Sequence, residues 1–294
     1  MGSKDSTFFL YFSAFCNKLA EQKTKPMEEK RDYTINVEKI LSKKFKKPSK
    51  LLVKIAKKIL HEDWLNGWFE KGYTGVEFTE KTLDYLGVKL NIEGLENVPD
   101  EGRFTVACNH PLGGNDALSI ITIFGKKWNS NIKFMANDFL ATLGQLEEFM
   151  VPVSKVGGQS RNLPALTEAM FSGDNQVLIF PAGICSRKIN GKIQDLPWTK
   201  AFIAKSVKYQ RDIIPVHFYG QNSRRFYFVD WIGKITGINK KAPLAMLFLV
   251  DELYRAQGST YRIVIGKPIP WQTFDESRKP IEWAQVVREK VYEL

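Results

Sequence analysis

The apolar positions of this chain keep two rhythms. Over residues 51–60 they follow a helical period: Leu51, Leu52, Ile55, Ile59 and Leu60 share one face, and Lys54, Lys57 and Lys58 share the other. A second apolar cluster, Trp64, Leu65, Trp68 and Phe69, follows directly. From Val88 the pattern becomes short continuous apolar runs alternating with helical segments. The runs 88–92, 104–107, 132–135, 150–153, 177–180, 213–217 and 261–265 predict strands, and 117–124, 138–146, 163–172 and 200–208 predict helices. Strands that are apolar throughout, joined by helices, predict an α/β fold: a central, mostly parallel mixed sheet flanked by helices on both faces. Residues 1–35 read as poorly ordered or helical. The expected division is therefore an N-terminal, helical, basic region over 1–85 and an α/β domain over 86–294. No internal repeat or low-complexity tract is evident.

Composition changes this picture in two places. Apolar residues at 44% and charged residues at 26% suit a protein that buries a real core, but aromatic residues at 13% are frequent enough to suggest an interfacial or ligand-facing surface. The net charge of +11 is concentrated, because nine lysines and no acidic residue lie between Lys39 and Lys58. A local basic device predicts an anionic partner: phospholipid headgroups, nucleic acid or an acidic protein. A basic amphipathic helix beside tryptophans reads as a membrane-surface element. The plainer reading packs its apolar face on the main domain and leaves the lysines in water; both readings stay open and can hold together. No stretch reaches the roughly 18 apolar residues of a membrane span. The opening run of residues 8–12 is short and follows Lys4 and Asp5, a poor signal-peptide start. The first six residues match only a loose myristoylation pattern. Cys16, Cys108 and Cys185 are too few and too scattered for a zinc site or a disulfide framework, which fits a reducing, cytoplasmic setting.

Candidate chemistry gathers in Asn109-His110-Pro111-Leu112-Gly113-Gly114-Asn115-Asp116, directly after the strand over 104–107. The chain has only three histidines, His61, His110 and His217, so a base titrating near neutral pH has few candidates. An Asp close behind a His can fix its tautomer and stabilise the imidazolium. The plainer reading makes His110 a strand-end residue and Asp116 a helix cap before Ala117. A second segment, Phe180-Pro181-Ala182-Gly183-Ile184-Cys185-Ser186-Arg187, ends another buried strand. There Gly183 permits a tight turn, and Ser186, Arg187 and backbone amides suit an oxyanion. A third is Val151-Pro152-Val153-Ser154-Lys155 with Arg161-Asn162 beyond it, and a fourth is Ile214-Pro215-Val216-His217-Phe218. His217 suits core packing, His61 a structural role, and Cys108 and Cys185 small packing positions.

In this order and spacing the four segments resemble the conserved blocks of the glycerolipid and lysophospholipid acyltransferase superfamily, over roughly residues 88–271. His-Pro-Leu-Gly-Gly-Asn-Asp with Phe-Pro-Ala-Gly looks most like its bacterial haemolysin-like branch, some of whose members acylate lyso forms of amino-acid lipids. The resemblance implies an O-acyltransferase. His110 would take the proton of an acceptor hydroxyl as it attacks an acyl thioester, and Asp116 would hold the imidazole. Arg187, Gly183 and Ser186, with Lys155 and Arg161 as weaker candidates, would contact substrate, the Gly183 amide being one candidate oxyanion donor. The donor would be acyl carrier protein or acyl coenzyme A and the acceptor a lyso-lipid, with no bound cofactor or metal. The enzyme would sit peripherally on an anionic membrane, at the cytoplasmic face of the inner membrane. Two departures stand out. Five residues separate His110 from Asp116, so Asn115 occupies the usual carboxylate spacing, and Ala182 replaces a glutamate. Gly113-Gly114 can absorb the extra residue and let Asp116 reach His110. An esterase or thioesterase lacks its Gly-x-Ser-x-Gly elbow here, and no nucleic-acid module accompanies the lysines, so nucleic acid is not expected as a partner.

Overall fold

The computed structural model describes residues 34–44, 47–136, 144–152, 163–237, 245 and 248–294. Four helices lead in: α1 (Val37–Lys44), α2 (Lys50–Leu60), α3 (Glu62–Phe69) and α4 (Gly75–Tyr85). The Ser49 hydroxyl caps α2 by accepting from the Leu52 N–H at 3.2 Å, and His61 ends it in the left-handed region at φ 47°. There follow β1 (Lys89–Glu93), β2 (Phe104–Cys108), α5 (Asn115–Lys127), β3 (Ile132–Ala136), β4 (Met150–Pro152), α6 (Leu163–Ser172) and β5 (Gln176–Ile179). A hairpin, β6 (Arg187–Ile189) and β7 (Lys192–Gln194), precedes α7 (Ala201–Lys208), β8 (Asp212–Tyr219), α8 (Arg224–Ile235), α9 (Leu249–Arg255), β9 (Thr260–Ile265) and α10 (Pro280–Glu293).

Seven strands form one sheet in the order β1-β9-β8-β2-β5-β3-β4. All neighbours run parallel except β8 and β9. The expected mostly parallel mixed sheet, covered by helices, is what forms. Successive residues of β2 point to opposite faces. On one face Val106 joins Ile214, Val216 and Leu178 beneath Leu65, Trp68, Phe78 and Phe124 of α3, α4 and α5. On the other, Ala107, Val177 and Ile213 meet Phe171 of α6, Phe202 of α7 and Val287 and Val291 of α10. Burying such side chains stabilises by about 1.5–3 kcal/mol each, so helix–sheet packing rather than helix propensity holds the layers.

The seven predicted strands all form, most within a residue or two of the expected ends; α6 matches its predicted span and α7 starts one residue later. Of the helix expected over 138–146, the described part, Gly144–Leu146, is a 3₁₀ turn, and the rest lies outside the described residues, as do Val153 and nearly all of 1–35. In α2 no residue is buried, and Leu51, at 68% exposure, Leu52 and Ile55 face outward. The apolar face of that helix is thus uncovered at Leu51, Leu52 and Ile55, while Ile59 is half-buried and Leu60 packs against the core.

Candidate functional site

β2 is central and buried along its whole length, and its carboxyl end delivers Asn109 and His110 to the top of the sheet. Asn109 completes the ladder with its side chain: Nδ2 donates to the Phe218 carbonyl at 2.9 Å, and Oδ1 accepts the Phe218 N–H at 2.7 Å. Gly113, at φ +81°, then turns the chain back. The positive φ favours glycine, and a Cβ there would crowd Leu249 Cδ2 at 3.1 Å and Cys185 Cβ at 3.2 Å. This turn absorbs the additional residue. Asp116, not Asn115, meets the histidine: His110 Nδ1 and Asp116 Oδ2 are 3.0 Å apart.

Asp116 is fully buried. Its Oδ2 also accepts the N–H groups of Leu112 at 2.9 Å and Gly113 at 3.2 Å, and Oδ1 accepts the Ala117 N–H at 2.9 Å. One carboxylate therefore orients the ring, closes the loop and bonds at the start of α5. Burial alone would raise its pKa, but the His110 charge and these hydrogen bonds bring it below the usual carboxylate value. For His110, burial pulls the pKa down, while the charge and hydrogen bond of Asp116, with the charge of Asp195, outweigh it and raise the net value. The imidazole stacks on Phe180 with centroids 4.1 Å apart, which fixes its plane. Since Asp116 takes Nδ1, Nε2 is the nitrogen open to a substrate.

The second segment holds this arrangement from behind. The Ser186 N–H donates to the His110 carbonyl at 2.7 Å, and the Ser186 hydroxyl donates to Asp195 Oδ1 at 2.6 Å. Asp195 in turn accepts the His110 N–H, at 3.2 Å to Oδ1, and the Trp198 indole N–H on Oδ2 at 2.9 Å. Ser186 and Asp195, both buried, thus clamp the His110 peptide on both sides. Sequence reasoning missed Asp195. A signal was present: Asn190-Gly191, with both φ angles positive, makes a two-residue turn that pairs Arg187 with Gln194 and brings Asp195 opposite Ser186.

Other candidates fall differently. Arg187 is buried: Nε pairs with Asp230 at 3.2 Å, one terminal nitrogen donates to the Cys185 carbonyl at 2.8 Å, and the guanidinium lies over Phe226. Its charge opposes protonation of His110, and Asp230 already balances it. The Gly183 N–H donates to the Phe180 carbonyl at 2.9 Å, so this amide, a candidate oxyanion donor from the sequence, is consumed by its own turn. Lys155 and Arg161 lie outside the described residues. His61 bonds Asp251 through Nε2 at 2.9 Å and stacks on Tyr254, a structural role. His217 packs between Tyr219 and Tyr292, and burial followed by the nearby Arg262 charge lowers its pKa to about 4. The thiols of Cys108 and Cys185 are buried and pushed up, burial being the main cause, as packing residues should be.

Known proteins place the chain in a family. A profile of the family described as Acyltransferase matches residues 36–294. A lyso-glycine lipid O-acyltransferase of Phocaeicola vulgatus is 43% identical over 89% of this chain and 95% of its own length. A protein of the same description from Bacteroides thetaiotaomicron is 42% identical over 89% of this chain and 98% of its own. The crystal structure of the 1-acyl-sn-glycerophosphate acyltransferase PlsC from Thermotoga maritima aligns over 98% of this chain and 97% of its own, at 16% identity and a TM-score of 0.46, a level that adds nothing to the assignment. On the profile match and two relatives above two-fifths identity along nearly their full length, the chain belongs to the acyltransferase family.

Proposed function

We propose that this acyltransferase is a lyso-lipid O-acyltransferase that uses His110 as general base. The observation that carries the reading is the 3.0 Å contact between His110 Nδ1 and the buried Asp116. It orients Nε2 toward an acceptor hydroxyl. That oxygen attacks the carbonyl carbon of an acyl thioester while Nε2 takes its proton. The tetrahedral intermediate then expels the thiolate, which recovers the proton from the imidazolium, leaving an ester and a free thiol. Asp116 stabilises the imidazolium between the two transfers. The close relatives, described as lyso-glycine lipid O-acyltransferases, support a lyso-lipid acceptor bearing an amino acid. The acyl donor in this reading is acyl carrier protein or acyl coenzyme A, and Arg187 and Ser186 support the loop rather than bind the acceptor directly.

The reading includes peripheral attachment to an anionic membrane, at the cytoplasmic face where acyl thioesters are made. Support comes from exposed apolar residues paired with cations: Leu51, Leu52 and Ile55 beside Lys54 and Lys58 on α2, and Phe228, Trp231 and Ile235 beside Arg224 and Lys234 on α8. Among the described residues no helix is long and apolar enough to cross a bilayer.

The direct test is His110→Ala. Acyl transfer from a thioester to lyso-lipid should fall by roughly 10²–10⁴-fold, the usual contribution of a positioned base, with the circular dichroism spectrum unchanged. Near-normal turnover would falsify the mechanism, and thioester hydrolysis without an acceptor would point to a thioesterase.

A further inference from the structure

Asn115 has no part in the mechanism above, although it stands where the family pattern has its carboxylate. The residue is 3% exposed, and among the described residues no donor reaches its Oδ1. Its Nδ2 donates to the Tyr261 hydroxyl at 3.4 Å. A buried carbonyl without a donor is unfavourable, and native structures seldom leave one unless water or a ligand completes it. Asn115 lines a cavity of about 230 Å³. Leu112 and Gly114 of the His110–Asp116 loop form one side, and α9 with Tyr261 forms the other.

Most polar groups of the wall are already committed. Glu252 accepts the Ser223 N–H at 2.7 Å and its hydroxyl at 2.6 Å, and Asn222 Nδ2 donates to the Leu112 carbonyl at 3.2 Å. Arg255 brings a guanidinium whose Nε is held by Asp251 at 2.8 Å. Leu112, Leu249, Leu253 and Ala256 supply the apolar surface, and Gln221 and Ser259 add polar groups. The complement of such a wall is an N–H donor beside a carboxylate, with hydrocarbon attached.

We propose that this cavity receives the head of the acyl acceptor, and that Asn115 Oδ1 accepts a hydrogen bond from the amide N–H of an N-acyl amino acid whose carboxylate lies toward Arg255. The inference rests on the lyso-lipid O-acyltransferase reading. His110 does not line the cavity, whereas Leu112 and Gly114 do. The acceptor hydroxyl is therefore carried on the acyl chain, some bonds from the head, so that the chain crosses the loop to reach Nε2.

The experiment compares two acceptors with the same hydroxylated chain, one joined to glycine by an amide and one to glycolate by an ester, which lacks the N–H. The wild-type protein should favour the amide by roughly tenfold in kcat/KM, the scale of one buried hydrogen bond. Asn115→Ala should lose that preference, the ratio of amide to ester kcat/KM falling to about one, and an unchanged circular dichroism spectrum reports that the variant folds. The Asn115 side chain makes no bond that the loop depends on. In parallel, calorimetric binding of N-octanoylglycine should weaken by a similar factor in Asn115→Ala. A preference retained by the variant, or absent from the wild type, overturns the assignment and leaves the cavity to water. If neither acceptor is acylated but N-octanoylglycine binding still depends on Asn115, the reaction assigned above is wrong and the cavity stands.

Discussion

At His110 two opposing effects meet, and their balance sets a pH dependence. Burial lowers the affinity of the imidazole for a proton; the Asp116 charge and hydrogen bond, with the Asp195 charge, raise it by more. A general base must be neutral before it acts, so activity is lost as pH falls through the raised pKa. The acid limb of kcat/KM should therefore lie above the usual histidine value of about 6.5. Asp116→Asn removes the charge, so the limb should move to lower pH while kcat falls by roughly 10²–10⁴-fold. A pH–rate profile checks both, and an unmoved limb would show that Asp116 does not govern His110. Asp195 acts one step back. In Asp195→Asn a single oxygen cannot accept from His110, Ser186 and Trp198 together. Displacing the His110 peptide should lower kcat by roughly ten- to a hundredfold, with KM nearly unchanged; a rise in KM alone would mean that Asp195 serves binding instead. The pair His110–Asp116 was legible in the sequence because its partners are six residues apart and the intervening glycines announce a turn. Asp195 was missed, because its contact with Ser186 depends on the β6–β7 hairpin, whose only local announcement is the Asn190-Gly191 turn.

At the scale of elements, one-sided period decided what could be read. The segments with a single apolar face or a continuous apolar run appear as α2, α6, α7 and the seven strands of the sheet. The helix α8 went unread because its apolar residues point both ways: Phe226 and Tyr227 are buried, whereas Phe228, Trp231 and Ile235 are exposed. The same outward residues give the membrane reading its test. Replacing Leu51, Leu52 and Ile55 together with Asn removes three apolar side chains from the exposed face of α2 while keeping every lysine. Binding to vesicles containing phosphatidylglycerol, measured by flotation, should weaken by one to two orders of magnitude, since partial burial of the three side chains contributes about 0.5–1 kcal/mol each. Unchanged flotation would mean that this face meets something other than lipid.

At the scale of the molecule, alternation of strands and helices was enough to give the fold class, but not the order of the strands. Nothing local in Thr260–Ile265 says that it runs against β8 while pairing in parallel with β1. That depends on chain segments far apart in sequence. The additional residue of the Gly-Gly loop and the expectation that Asp116 reaches His110 were both visible beforehand; the burial of Asn115 beside Tyr261 became clear only in three dimensions. The side chain of Asn109 has a longer reach than its size suggests. By continuing the ladder between β2 and β8 one step past the strand's end, it makes the splitting point of these two strands a property of the sheet rather than of the loops. His110, the proposed base, is thereby moored to a buried central strand, while part of the cavity wall belongs to α9 and β9. Changes on α9 and β9 can thus reshape the cavity without touching the Asn109 anchor, whereas changes at Leu112, Gly114 or Asn115 act on the very loop that holds Asp116.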